Sequence, residues 1–359
     1  MNKIKKILKH IFIDGLSGMA QGLFATLIIG TIAAQIGAFV GGAAGQAIQN
    51  VAYVAQALTG AGIGVSVACK FNVKPLVTVS AGVCGLIGAS SKAFLAGTLI
   101  HIGDAGKTAV VNIPGEPLGA FIAAMVAIEM GRLVAGKTKL DILVTPIVAI
   151  GSGALVGILV GPPISSFMTM LGDLVNLGAN NQPFLMGIIV SVLMGMILTL
   201  PISSAALGVI LGLSGIAAGA ATVGCCAQMV GFAVASYREN RVGGLVAQGI
   251  GTSMLQVPNI VRHPLIWVPP TLASAILGPI ATCVLGMVNN PVGSGMGTSG
   301  LIGPILGYQT MLGAGMSSTV AILQIVIMYV IAPAVLTLII SEFMRKMGWI
   351  KQGDMKLDM

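Results

Sequence analysis

The sequence predicts an all-α integral membrane protein with about ten transmembrane helices. Three observations carry that expectation. Of 359 residues, 56% are hydrophobic and only 8% charged, whereas about a quarter are charged in a typical soluble domain. Apolar runs of about 20 residues, the length a helix needs to cross the hydrocarbon core, recur along the chain. The 51 glycines come with abundant Ala, Ser and Met, small or pliable residues that let membrane helices pack closely.

The elements follow in order. MNKIKKILKHIFID (1–14) has no small-residue cleavage site before the first long apolar run, so it reads as an amphipathic lead-in rather than a removed signal. Continuous apolar runs fall at 15–38, 76–100, 117–135, 142–161, 183–202, 204–236, 264–288 and 319–342, and an Ala/Gly-rich run with scattered Gln covers 44–68. Lys3, Lys5, Lys6 and Lys9 open the chain, and Arg345, Lys346, Lys351 and Lys356 close it. Basic clusters at the ends of apolar runs follow the positive-inside rule, which places both termini in the cytoplasm and requires an even number of crossings. No basic reader domain accompanies these charges, which argues against a nucleic-acid partner.

Two segments fit neither a regular span nor a solvated loop. One is 243–263; the other, 289–318, reads NNPVGSGMGTSGLIGPILGYQTMLGAGMSS. Irregular backbone at membrane depth must be buried in protein or line a cavity, and Gly/Pro-broken segments point to a transporter's binding site. Both are therefore expected to be re-entrant hairpins, although 289–318 also reads as an extracytoplasmic loop. GLSGMAQG (15–22) returns as GLSGIAAG (212–219), a hint of an internal repeat, and LGANNQPF interrupts the pattern near residue 180. The expected organisation is a membrane half at 1–180, a second at 181–346 and a cytoplasmic tail at 347–359.

The chemistry-bearing residues are few. Cys69, Cys84, Cys225, Cys226 and Cys283 lie in or beside apolar segments with no metal-ligand spacing to the three histidines. Neither a metal nor a cofactor is expected. HIGDAGKTAVV lacks the G-x-x-x-x-G-K-[ST] phosphate loop, and no hydrolase or metalloprotease signature occurs, so no catalytic residue is assigned. Intramembrane ionisable residues are candidates by default: Lys92, the His101–Asp104–Lys107 island, Glu116, Asp173, Arg262 and His263. Glu129 and Arg132 are spaced to pair on one helix.

PNIVRHPLIWVPPTL (258–272) resembles the signature of the glucose-superfamily phosphotransferase enzyme IIC, in which an Asn/Thr-Glu-Pro tripeptide is followed by two apolar residues, an aromatic and a spaced proline. Pro264, Leu265, Ile266, Trp267, Val268, Pro269 and Pro270 keep that spacing. GEPLGAFIAA (115–124), LTLPISSAA (198–206), GCCAQMVGFAV (224–234) and NNPVGSGMGTSGLIG (289–303) are similar to the stand-alone, perfringolysin-regulator-related group of enzyme IIC-like proteins. The chain departs where the sugar-contacting glutamate falls on His263 and the Asn/Thr on Arg262.

The resemblance implies a bacterial cytoplasmic-membrane transporter of elevator type, a homodimer whose first half is the scaffold and second half the moving domain. Separate phosphotransferase components are its implied partners. A small polar solute, a sugar or a sugar-like molecule, neutral or anionic, would meet His263, Arg262, Asn259, Gln256, Glu116, Asn289 and Asn290. With His263 in place of the carboxylate, transport is expected to run without phosphorylation. The other reading of Arg262 and His263 is structural: one snorkels to the surface and the other satisfies a carbonyl. The other reading of the whole chain is a membrane sensor that binds without transport.

Overall fold

A computed structural model describes residues 10–98, 100–103, 106–109, 116–179, 182–202 and 204–357. Helices dominate. Among the described residues six helices are long and apolar enough to cross a membrane, or seven if the bent pair Gly42–Ala57 and Thr59–Lys70 is one span. Two further apolar helices, Pro75–Ala89 and Pro183–Thr199, are shorter. Large apolar side chains such as Leu323, Ile331, Val335, Ile339 and Phe343 stay exposed on the Ser318–Lys346 span, as expected where the solvent is lipid. The contacts divide the chain into two compact units, Met1–Phe167 and Met168–Met359.

In the first unit the span Leu16–Val40 ends at Gly41, whose φ of +66° suits glycine and turns the chain into Gly42–Ala57. Thr59–Lys70, Pro75–Ala89 and Pro117–Val134 pack together, with Cys84, Ala123, Ala127 and Ala149 in a fully buried core. The expected run 76–100 is not one span. Its helix ends at Ala89, Ser90 leaves helical geometry, a short turn covers Ser91–Leu95, and Gly97 adopts φ +68°. Lys92 consequently sits exposed on that turn. An antiparallel strand pair, Ile100–Gly103 with Gly106–Ala109, follows; the other regular elements among the described residues are helices and helical turns. Asp104 and the side chains of His101, Lys107 and Asp173 lie outside the described set. Glu129 does pair with Arg132 at 3.1 Å, and also with His10 at 3.0 Å.

In the second unit the helix Gly215–Ala235 is the hub: 89% of its most apolar window is buried. It packs against Pro183–Thr199, Val268–Pro279 and Ala332–Lys346. Small residues allow that approach; a methyl group on Gly224 would overlap the Ser191 backbone. The run 204–236 breaks into Ser204–Ile210 and Gly215–Ala235 because Gly212 and Gly215 take φ near +60°. GLSGMAQG is helical from Leu16 onward, whereas GLSGIAAG begins in this turn, so the two octapeptides differ locally. The segment 243–263 is irregular: a π turn Ala247–Gly251, a 3-10 turn Ser253–Gln256 and a short helix Val257–Arg262. In 289–318, Pro291–Ser294 and Ser299–Leu301 are single turns before the regular helix Ile302–Gly313.

Candidate functional site

The hub helix reads GIAAGAATVGCCAQMVGFAVA, and Gln228 is its one amide side chain. An amide in apolar surroundings must be hydrogen-bonded, and Gln228, fully buried, is. Its Oε1 accepts from Trp267 Nε1 at 3.0 Å and from Thr199 Oγ1 at 3.3 Å, and its Nε2 donates to Thr271 Oγ1 at 3.1 Å. Thr199 and Ser253 join their hydroxyls at 2.9 Å, and Thr271 donates back to the Trp267 carbonyl at 2.7 Å. Four chain segments thus meet in one polar cluster. Pro183–Thr199 brings Thr199 at its last turn, the 3-10 turn brings Ser253, and the Pro264–Pro279 stretch brings Trp267 and Thr271. Trp267 and Thr271 are only partly buried, so one edge of the cluster is accessible. An indole beside hydroxyl and amide groups suits an uncharged hydroxylated ligand, with an apolar face for the ring and several donors and acceptors for hydroxyls.

The residues assigned from sequence go to three other places. Residues 261–265, with Arg262 and His263, form an exposed tip. The Arg262 side chain makes no hydrogen bond or ion pair among the described residues, and His263 Nδ1 lies 3.6 Å from Asp354 Oδ1. Gln256 and Asn259 are buried just before the tip and donate to the Met355 and Lys356 carbonyls at 3.0 and 2.9 Å. Residues 355 and 356, in the segment read as a tail, therefore pack on them.

Asn289 and Asn290 act in the second irregular segment. Asn289 Nδ2 donates to Thr222 Oγ1 at 2.8 Å and to the Gly303 carbonyl at 3.1 Å, while its Oδ1 accepts from the Asn290 N–H at 2.8 Å. Asn290 caps the next turn through the Gly293 N–H at 2.8 Å. The Tyr329 hydroxyl is buried beside Thr222 and Asn289. These amides hold the glycine-rich turn in shape.

Glu116 belongs to the first unit, immediately before the Pro117–Val134 span, where its N–H donates to the Ala89 carbonyl at 2.9 Å. Burial pushes its carboxyl up to about 7, opposed by the Leu118 N–H and by the charge of Lys92. Its Oε1 has no partner among the described residues. No grouping of His, Cys, Asp and Glu among the described residues is suited to a metal.

Gln228, Thr199, Ser253 and Thr271 are absent from the set expected from sequence, which comprised Arg262, His263, Glu116 and the amides of the two irregular segments, whereas Gln228 and Thr199 lie within apolar runs. The available signal was a lone glutamine inside a span. Broken helices meeting around a buried polar cluster define a multi-pass helical membrane protein built to admit a polar solute. The family model described as "Phosphotransferase system, EIIC" matches residues 13–357, and no curated protein matches the chain. The chain belongs to that family. It is a membrane-embedded sugar-transport component of the phosphotransferase system, a permease subunit and not itself the catalytic one.

Proposed function

We propose that the protein carries a sugar or sugar-like solute across the bacterial cytoplasmic membrane and that the solute binds against Trp267 at the edge of the Gln228 cluster. The observation that carries this is the Gln228–Trp267 hydrogen bond, which ties the family's signature helix to the hub and leaves the ring partly accessible. Arg262 and His263 flank the same stretch, where a donor-rich tip would favour acceptor-rich or anionic solutes. The apolar runs and the basic clusters at both ends support about ten crossings with both termini in the cytoplasm, and the family resemblance supports a homodimer built on the first half and elevator-like movement of the second.

The family's sugar-contacting glutamate is His263 here, so solute carriage is read as independent of a phosphoryl donor. Proteoliposomes containing only this protein, loaded in turn with radiolabelled hexoses, sugar acids and nucleosides, test that reading. Exchange without phosphoenolpyruvate is expected for at least one class. Exchange that requires added phosphotransferase components would reverse the reading. Saturable binding without any exchange would instead favour the sensor.

A further inference from the structure

We propose that Glu239, Asn240, Gln256 and Asn259 form a receptor for a peptide backbone, filled in cis by residues 353–357 and able to take the same peptide in trans. Met355 is the centre of the contact: its carbonyl accepts from Asn240 Nδ2 at 2.8 Å and from Gln256 Nε2 at 3.0 Å. Asn240 also accepts the Leu357 N–H at 2.9 Å, so one side chain reads two backbone groups of the same short stretch. Asn259 donates to the Lys356 carbonyl at 2.9 Å, and Glu239 Oε1 accepts the Gly353 N–H at 2.9 Å.

The side chains alternate as they do in peptide-binding grooves, where main-chain bonds give affinity and alternate pockets give selectivity. Met355 and Leu357 are buried, whereas Lys356 between them is exposed. Met355 enters an apolar cluster with Phe232, Ile260, Ile266 and Ile350. Gly353, at φ +99° with open space around its α-carbon, makes the turn that feeds the stretch into the groove. The ligand is thus a turn, closed by the Lys356 N–H on the Gly353 carbonyl at 3.1 Å, that presents Met355 and then Leu357 to the groove.

The receptor is built rather than incidental. Gln248 donates to Ser236 Oγ and the Gly244 carbonyl, Gln256 donates to Gln248 Oε1, and Asn259 donates to Gln256 Oε1, each at 2.8 to 2.9 Å. Both hydrogens of all three amides are used, and the last acceptors of the relay are the Met355 and Lys356 carbonyls. With residues 353–357 removed, buried Gln256 and Asn259 would each hold a donor without a partner. The peptide therefore completes the irregular segment that leads into Trp267. This inference needs no solute and stands apart from the transport reading.

The test uses the full chain, folded before it is altered. A protease site inserted between Met347 and Gly348 allows the segment to be cut from purified protein. A fluorescent peptide, GWIKQGDMKL, is then added. Saturable binding to cut protein, little binding to uncut protein and loss of binding for the Met355→Asp peptide are expected. Equal binding to both forms, or none to cut and washed protein that remains folded, would overturn the proposal. Should cutting unfold the protein, hydrogen exchange on the uncut Asn240→Ala/Asn259→Ala variant decides. Faster exchange at Gly353 and Leu357 than in the parent supports the receptor, and unchanged exchange refutes it.

Discussion

Trp267 donates its indole N–H to the Gln228 side-chain oxygen at 3.0 Å, and Gln228 donates to Thr271, four residues after Trp267 in the chain. The hub helix is thereby locked to the signature stretch in two places, and Thr199 extends the lock to Ser253. Thr199→Val keeps the shape and deletes the bridging hydroxyl. Leaving the buried Ser253 hydroxyl short of a partner should cost about 1–3 kcal/mol. Thermal unfolding in detergent should show a lower midpoint than the parent; an unchanged midpoint would mean that the bridge carries no stability.

Arg345 and Glu239 form an ion pair 3.2 Å apart with both side chains nearly buried. Removing one partner strands the other charge, which costs about 3–5 kcal/mol, whereas replacing both with apolar residues costs much less. Arg345→Leu should therefore be more damaging than Arg345→Leu with Glu239→Leu, despite the bond from the Gly353 N–H to Glu239. Unfolding free energies in mixed micelles check the order. Additive losses would show that the pair is not coupled.

Two helical glycines should respond oppositely to alanine. A Cβ at Gly224 would meet Ser191 backbone atoms, whereas one at Gly151 meets nothing within 4 Å. Gly224→Ala should force the Pro183–Thr199 helix away and sharply lower the yield of folded protein. Gly151→Ala should be neutral or gain up to about 1 kcal/mol from helix propensity. Comparable melting points for the two variants would contradict the close packing of the hub.

Glu116 gives a pH signature. With its carboxyl raised from 4.5 to about 7 by burial, the folded protein holds a proton there that the unfolded chain has already released. That stabilisation is fully present below about pH 4.5 and is lost as pH rises through about 7. Glu116→Gln should remove this component, so its melting point relative to the parent should climb between pH 5 and pH 8. Parallel profiles across that range would show that Glu116 titrates normally.

Composition and hydropathy made the membrane class legible, because lipid as solvent demands long apolar helices whatever the packing. The helices Pro117–Val134 and Gly215–Ala235 lie where apolar runs were found. The broken spans were harder to see. Ser90, Gly212 and Gly215 interrupt apolar stretches without any loss of hydropathy, so periodicity reads straight through them. The site was legible only in part. Charge drew attention to Arg262 and His263, yet a neutral amide, Gln228, organises the cluster, and its partners arrive from both sides along the chain, Thr199 29 residues before it and Thr271 43 residues after it. Gln256 and Asn259 looked available because the segment that occupies them lies almost a hundred residues further along the chain.

The most direct test reads Trp267 itself. The chain has two tryptophans, and the other, Trp349, is half exposed, so Trp349→Phe leaves Trp267 as the sole indole reporter. Titrating that variant with hexoses, sugar acids and nucleosides should give a saturable change in emission for one class. Gln228→Leu in the same background should weaken that binding by one to two decades, the equivalent of about 1–3 kcal/mol, in protein that remains folded. Undiminished binding in the Gln228→Leu protein, or no response to any solute class, would contradict a sugar site at Trp267.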